Sequence, residues 1–167
     1  KKPAGIECTA ASDNPDNIVD FVGYPERVFP IGRLDKNSTG LILLTNAGDL
    51  VNPILRARSF HEKEYEVTVD RPVSDAVLRR FAAGVDIGDA VTRPCRVTRT
   101  GPDSCRVILT QGLNRQIRRM FEALGFKVIA LNRIRIMNIL LGDLPQGKYR
   151  EVTDEEKAEL FRLIGRK

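Results

Sequence analysis

At 167 residues, with 42% hydrophobic and 29% charged side chains, the chain is long enough to bury a real core and fits one domain. No apolar run approaches the length of a bilayer span. A single histidine, His61, makes His-rich metal chemistry and a Ser-His-Asp triad poor candidates, and three scattered cysteines, Cys8, Cys95 and Cys105, fit neither a disulfide framework nor a paired-thiol metal site. The net charge of +5 is modest and could serve solubility alone, but the arginines gather in three groups (Arg93, Arg96, Arg99; Arg115, Arg118, Arg119; Arg133, Arg135), which favours an RNA or DNA partner. Reduced thiols suit a cytoplasmic setting.

The opening stretch to about Pro30 is rich in Pro, Gly, Asp and Asn and reads as loop, with a short helix around Asp16–Val22 before Gly23. Leu41-Ile42-Leu43-Leu44 is a continuous apolar run after Gly40 and suits a strand covered on both faces. A helix is expected from Asp49, with Pro53 in its first turn. From Lys63 to Asp70 the pattern alternates, so Tyr65, Val67 and Val69 share one face and Glu64, Glu66 and Thr68 the other. Ser74 caps a helix that ends at Gly84.

Cys95–Thr100 and Cys105–Thr110 flank Gly101–Ser104 as a hairpin. From Asn114 the period becomes helical: Ile117, Met120, Phe121 and Leu124 form a stripe that Gly125 ends. Lys127 to Leu141 returns to extended, branched residues. Thr153 and Glu156 make a capping box for a last helix that buries Leu160, Phe161 and Ile164. Hairpins interrupted by separate helices predict an α+β fold with a mixed, mainly antiparallel sheet and flanking helices.

The most informative segment is Gly32-Arg33-Leu34-Asp35-Lys36-Asn37-Ser38-Thr39-Gly40-Leu41. A lone acid in such a turn usually caps its own backbone. Here the turn follows a basic residue and leads into an apolar strand, a junction where catalytic side chains tend to sit. Gly-Arg-Leu-Asp followed by Ser-Thr-Gly-Leu resembles the catalytic motif of the pseudouridine synthases, and the likeness runs through most of the chain. Lys2-Pro3-x-Gly5 is similar to the family's opening, Lys63-x-Tyr65 to its second motif, and Gly112-Leu113-Asn114-Arg115-Gln116-Ile117-Arg118-Arg119-Met120 to its third. Gly147-Lys148-Tyr149-Arg150 with Thr153 looks like the close of the branch that modifies ribosomal RNA at a single site. Phe29-Pro30-Ile31 and Asn114 look most like the F-type enzymes that modify RNA of the large ribosomal particle.

The resemblance implies the pseudouridine synthase fold, with residues 1–167 as its catalytic domain and an S4-type RNA-binding domain expected ahead of Lys2. It implies an isomerase that converts a uridine to pseudouridine with Asp35 as nucleophile, without metal or cofactor. A carboxylate in a dry pocket needs a permanent cation close by to stay ionised. Arg118 matches the family's arginine for that role; the plain alternative is a surface pair with Glu122. Tyr65 matches a tyrosine that stacks on the uracil and takes the C5 proton, though core packing uses the same burial.

Leu131 matches a hydrophobic wall of the pocket and suits the core equally well. Arg33 matches a residue that holds rearranged RNA after the base is extruded. Arg115, Arg119, Arg133 and Arg135 are expected to contact the RNA backbone. The partner implied is a stem-loop of large-subunit ribosomal RNA, with transfer RNA as a further candidate, bound by a monomer. Two other classes compete. A catalytically silent RNA-binding or ribosome-assembly module would be free to lose Asp35, Tyr65 or Arg118. An aspartyl phosphatase would want a second acid and metal ligands.

Overall fold

The computed structural model describes residues 1–55 and 60–165. The first helix, α1 (Ile18–Val22), starts where the Asn17 side chain accepts from the Asp20 N–H and stops at Gly23 in the left-handed conformation. Strand β1 (Phe29–Ile31) leads into the Asp35 turn and then β2 (Thr39–Gly40). Only half of the apolar run Leu41–Leu44 expected as one strand is strand: Leu41 and Ile42 lie between two strands and only Leu43 and Leu44 belong to one. Thr39–Gly40 joins the main sheet, while β3 (Leu43–Thr45) turns back to pair antiparallel with β1. Gly40 is where the path bends: its φ is +115°, and a side chain there would collide with the Arg133 backbone.

The helix expected from Asp49 also differs. A 3-10 turn over Gly48–Leu50 precedes α2 (Val51–Leu55), and Ala47, not Asp49, stands at the N-cap without a side-chain bond. Pro53 sits early in α2, where its missing N–H removes no helical bond.

Strand β4 (Lys63–Val69) follows the expected alternation, with residues 63, 65, 67 and 69 buried. Helix α3 (Asp75–Ala83) is capped by Ser74 and buries Leu78 and Phe81. The hairpin of β5 (Arg96–Gly101) and β6 (Ser104–Leu109) turns through Pro102 and Asp103. Helix α4 (Gln116–Ala123) lays Ile117, Met120 and Phe121 on the same side of the sheet, with the Phe121 ring 4.4 Å from that of Phe81. The expected extended stretch to Leu141 is itself a hairpin. Strand β7 (Val128–Ile136) folds back at Met137, φ +52°, into β8 (Ile139–Leu140). Helix α5 (Asp154–Leu163) carries the expected Thr153/Glu156 capping box, and Arg150 grips Glu156 at 2.7 and 2.8 Å, holding that carboxyl down to about 2.

The main sheet runs β2-β7-β4-β6-β5, with β8 also on β7. Strands β2 and β7 are parallel, and the other pairings between these strands are antiparallel, giving the expected α+β fold with a mixed, mainly antiparallel sheet. One core lies between this sheet and helices α3 and α4. A second gathers Ile31, Leu41, Leu43, Ile54, Ile139 and Leu160. Leu34 belongs to the first and Leu41 to the second, so the Asp35 turn is strung between two rigid bodies of packing. Among the described residues no helix is long and apolar enough to cross a membrane.

Candidate active site

The backbone around Asp35 is fixed from several directions. The N–H of buried Leu34 donates to Cys8 Sγ at 3.3 Å, and the N–H of Ser38 closes the turn on Asp35 O at 2.9 Å. Lys36 O accepts from the Gly5 N–H at 2.7 Å and from Lys2 Nζ at 3.0 Å. Lys2 is fully buried beneath the turn. Burial lowers the pKa of its ammonium, while the nearby Cys8 and Asp35 oppose that shift. Thr39 Oγ1 bonds Asn132 Oδ1 at 2.9 Å, tying the far side of the turn to β7. The side chain of Asp35 therefore projects from a backbone with little freedom.

Two arginines from the α4 segment meet its carboxylate. Arg118 Nε lies 3.3 Å and Arg115 Nη1 3.5 Å from the same oxygen, Oδ2. Arg118 Nη2 also donates to Ser38 Oγ at 3.0 Å, so one guanidinium links the acid to the far end of its own turn. The side chains of Asp35 and Arg118 are 22% and 13% exposed, and at that burial the attraction is screened far less than on an open surface. Helical register explains the reach: with Ile117, Met120 and Phe121 turned to the core, Arg118 lies on the flank and reaches Asp35 instead of Glu122. Among the described residues Asp35 Oδ1 accepts no hydrogen bond, which leaves one carboxylate oxygen clear.

Tyr65 and Leu131 stand on the inner face of the sheet, 9% and 8% exposed, in one core cluster with Leu34 and Ile117. The neighbours of Asp35 and Arg118 thus share a core with the expected ring and wall residues. Arg33 is exposed.

The other arginines differ from expectation. Arg115, read as a backbone contact, lies on Asp35, and it adopts φ +50°, a strained setting for a side-chain-bearing residue. Arg119 is a strut: it bonds Ile87 O at 3.2 Å, Asn114 O at 3.1 Å and the Asp89 carboxylate, bracing the loop after α3. Arg133 is buried at 3% exposure and donates from Nε to Leu41 O at 2.8 Å. Arg135 pairs with Glu64 at 3.0 Å and Glu62 at 3.1 Å on the outer face.

A bulge explains the last two. Arg133 pairs with Tyr65 and Arg135 with Glu64, leaving Ile134 extra and reversing the alternation. Nothing in the sequence of β7 marks that bulge. Ser38 and Lys63 are visible inside the motifs as residue types, but their partners come from elsewhere in the chain.

Among the described residues no group of three or more His, Cys, Asp or Glu side chains could hold a metal. An apolar cavity of about 490 Å³ is lined by Ile31, Leu41, Leu43, Leu144, Leu160 and Phe161 among others, and Asp35, Tyr65 and Arg118 are not in its lining. It belongs to the second core and not to this cluster.

Comparison with known proteins agrees with the motifs. Residues 1–123 match the family model described as RNA pseudouridylate synthase. The chain is 55% identical over 163 residues to the dual-specificity RNA pseudouridine synthase RluF of Salmonella typhi, covering 98% of this chain and 56% of that relative. It is 35% identical to the ribosomal small subunit pseudouridine synthase A of Yersinia pestis, covering 95% of this chain and 70% of that one. A crystal structure of a pseudouridylate synthase superposes with a TM-score of 0.85 at 32% identity, over 97% of this chain and 70% of that one. The chain spans about half the length of the RluF relatives it matches.

Proposed function

This chain belongs to the RNA pseudouridine synthase family, and we propose that it isomerises a specific uridine of large-subunit ribosomal RNA to pseudouridine with Asp35 as nucleophile. The observation that carries the reading is the Asp35–Arg118–Ser38 arrangement. It is a part-buried carboxylate on a fixed turn, with one oxygen compensated by a permanent cation and the other clear. The reaction consumes no water and has no redox step. The C1′–N1 bond of the uridine breaks while the carboxylate attacks C1′ or assists departure of the base. The base turns, C1′ bonds to C5, the C5 proton leaves and N1 takes one up.

Tyr65, packed beside this cluster, is the proposed stacking ring and acceptor of the C5 proton, and Leu131 the wall that excludes water. Arg33 is exposed beside the turn, where it can hold a phosphate once the base has been extruded. The dual specificity in the name of the RluF relatives supports a second RNA target, for which we propose transfer RNA. Three free cysteines support a reducing cytoplasm, and we propose that the protein acts there as a monomer.

The test is incubation with ribosomal RNA tritiated at uridine C5. Release of tritium to water is expected. RNA binding without release would favour a silent RNA-binding module.

A further inference from the structure

Among the described residues, two cations in the inner face of the sheet have no acid. Lys63 opens β4 at 9% exposure and Arg133 stands on β7 at 3% exposure, close enough to repel it. Among the described residues no carboxylate pairs with the Lys63 ammonium. Burial and the Arg133 guanidinium set its surroundings, and together they push it down to about 8. Arg133 gives Nε to Leu41 O and leaves Nη2 buried without a partner. Burying unpaired charge is expensive, and a fold normally pairs such groups or replaces them.

The place of the pair says what it waits for. Tyr65 follows two residues after Lys63 on the same strand face, about 7 Å along the strand. Lys63 Nζ lies 3.8 Å from where a Cβ on Gly112 would stand, under the loop that leads to Arg115 and Arg118. The phosphates of an RNA strand stay at a solvated rim, where Arg33 and Arg115 are exposed. Only an extruded base goes deeper.

We propose that Lys63, backed by Arg133, is a substrate-binding residue that takes a carbonyl oxygen of the extruded uracil and carries the charge the ring acquires as its bond to the sugar breaks. The inference rests on the reaction proposed above. When C1′–N1 breaks, its electron pair passes to the ring and is shared by the two carbonyl oxygens. It returns when C1′ bonds to C5, so Lys63 lends charge and transfers no proton. A fixed cation at the site of developing charge acts more strongly in the transition state than in the ground state.

Lys63→Met keeps the length of the side chain and removes the charge. The expected result is a single-turnover rate at saturating RNA lower by roughly 100-fold, with RNA affinity lowered far less than the rate and its salt dependence unchanged. The wild-type kcat/KM should fall as pH rises through about 8, and Lys63→Arg should recover part of the rate and lose that fall. A structural lysine predicts the reverse pattern of stability. Because the folded state holds this ammonium below its ordinary 10.5, the unfolded chain binds more protons between about 8 and 10.5, and Lys63 costs most stability below that window. Lys63→Met should therefore raise Tm at neutral pH, and a lower Tm with an unchanged rate would overturn the proposal.

The source of the oxygen is settled in the Asp35→Asn complex by nitrogen NMR of the Lys63 ammonium. RNA with an intact target uridine should raise its pKa, and the same RNA with an abasic target should not. An equal rise with both, or a flatter salt dependence for Lys63→Met, would identify a phosphate contact and overturn the uracil assignment. A wild type inactive on every RNA sinks the reaction and this inference with it; an active wild type matched by Lys63→Met sinks this inference alone.

Discussion

Arginines meet carboxylates on both faces of the main sheet, and the two faces are built differently. On the outer face Arg135 spans Glu64 and Glu62 at 3.0 and 3.1 Å, Arg96 takes Glu62 at 2.6 Å, and Arg106 stands 3.6 Å from Glu64. Three cations there share two acids. On the inner side Arg118 and Arg115 converge on Asp35 alone, while Lys63 and Arg133 have no acid among the described residues. Two cations there share one acid, and two have none. The outer network is nearly self-neutralised and serves the fold, whereas the inner surplus fits the proposed substrate, whose ring turns negative as its bond to the sugar breaks. Sequence shows the same residue types on both faces. Neighbours, not composition, separate a strut from a site.

The contrast makes ordered predictions. Asp35→Asn is isosteric, should fold and bind RNA, and should form no pseudouridine above background; residual turnover would remove Asp35 from the nucleophile role. Arg118→Met should lower the rate by roughly 100-fold while leaving the core stripe intact. Wild-type activity in that variant would make the Arg118–Asp35 contact merely structural.

For Tyr65→Phe the packed ring remains and the hydroxyl goes. Stability should change by less than about 1 kcal/mol, with C5 tritium release slowed at least roughly 100-fold. Normal release would hand the proton to water or another group. Arg135→Met gives the smallest effect on chemistry. Loss of its bonds to Glu62, Glu64 and Met137 O should lower stability by about 1–3 kcal/mol with kcat unchanged. A lost kcat there would break the division between the two faces.

Local signals explain what the sequence revealed. The Ser74 cap, the Thr153/Glu156 box, the β4 alternation and the Asp35 turn each depend on residues a few positions apart. The rest depends on distant partners. Leu41 and Ile42 fall outside the strands because the chain bends at Gly40, pressed against the Arg133 backbone, and Arg119 leaves the cleft because Asp89 waits 30 residues away. The Ile134 bulge is set by pairing with β4, and it decides which of Arg133 and Arg135 faces the core. The turn at Met137–Asn138 has no glycine to announce it. Lys63 shares the parity of Tyr65, so its burial is legible in the strand pattern, but its missing acid is not.

The central claim is that this chain turns an N-glycoside into a C-glycoside without loss of the base. Nucleoside mass spectrometry of ribosomal RNA after incubation with the protein tests it most directly, read beside C5 tritium release from the same sample. The account predicts a new nucleoside of uridine's own mass whose base–sugar bond survives fragmentation, formed one for one with released tritium, by wild type and not by Asp35→Asn. Free uracil with an abasic site would mean hydrolysis in place of isomerisation, and unchanged RNA despite tight binding would mean that the Asp35 cluster performs no chemistry.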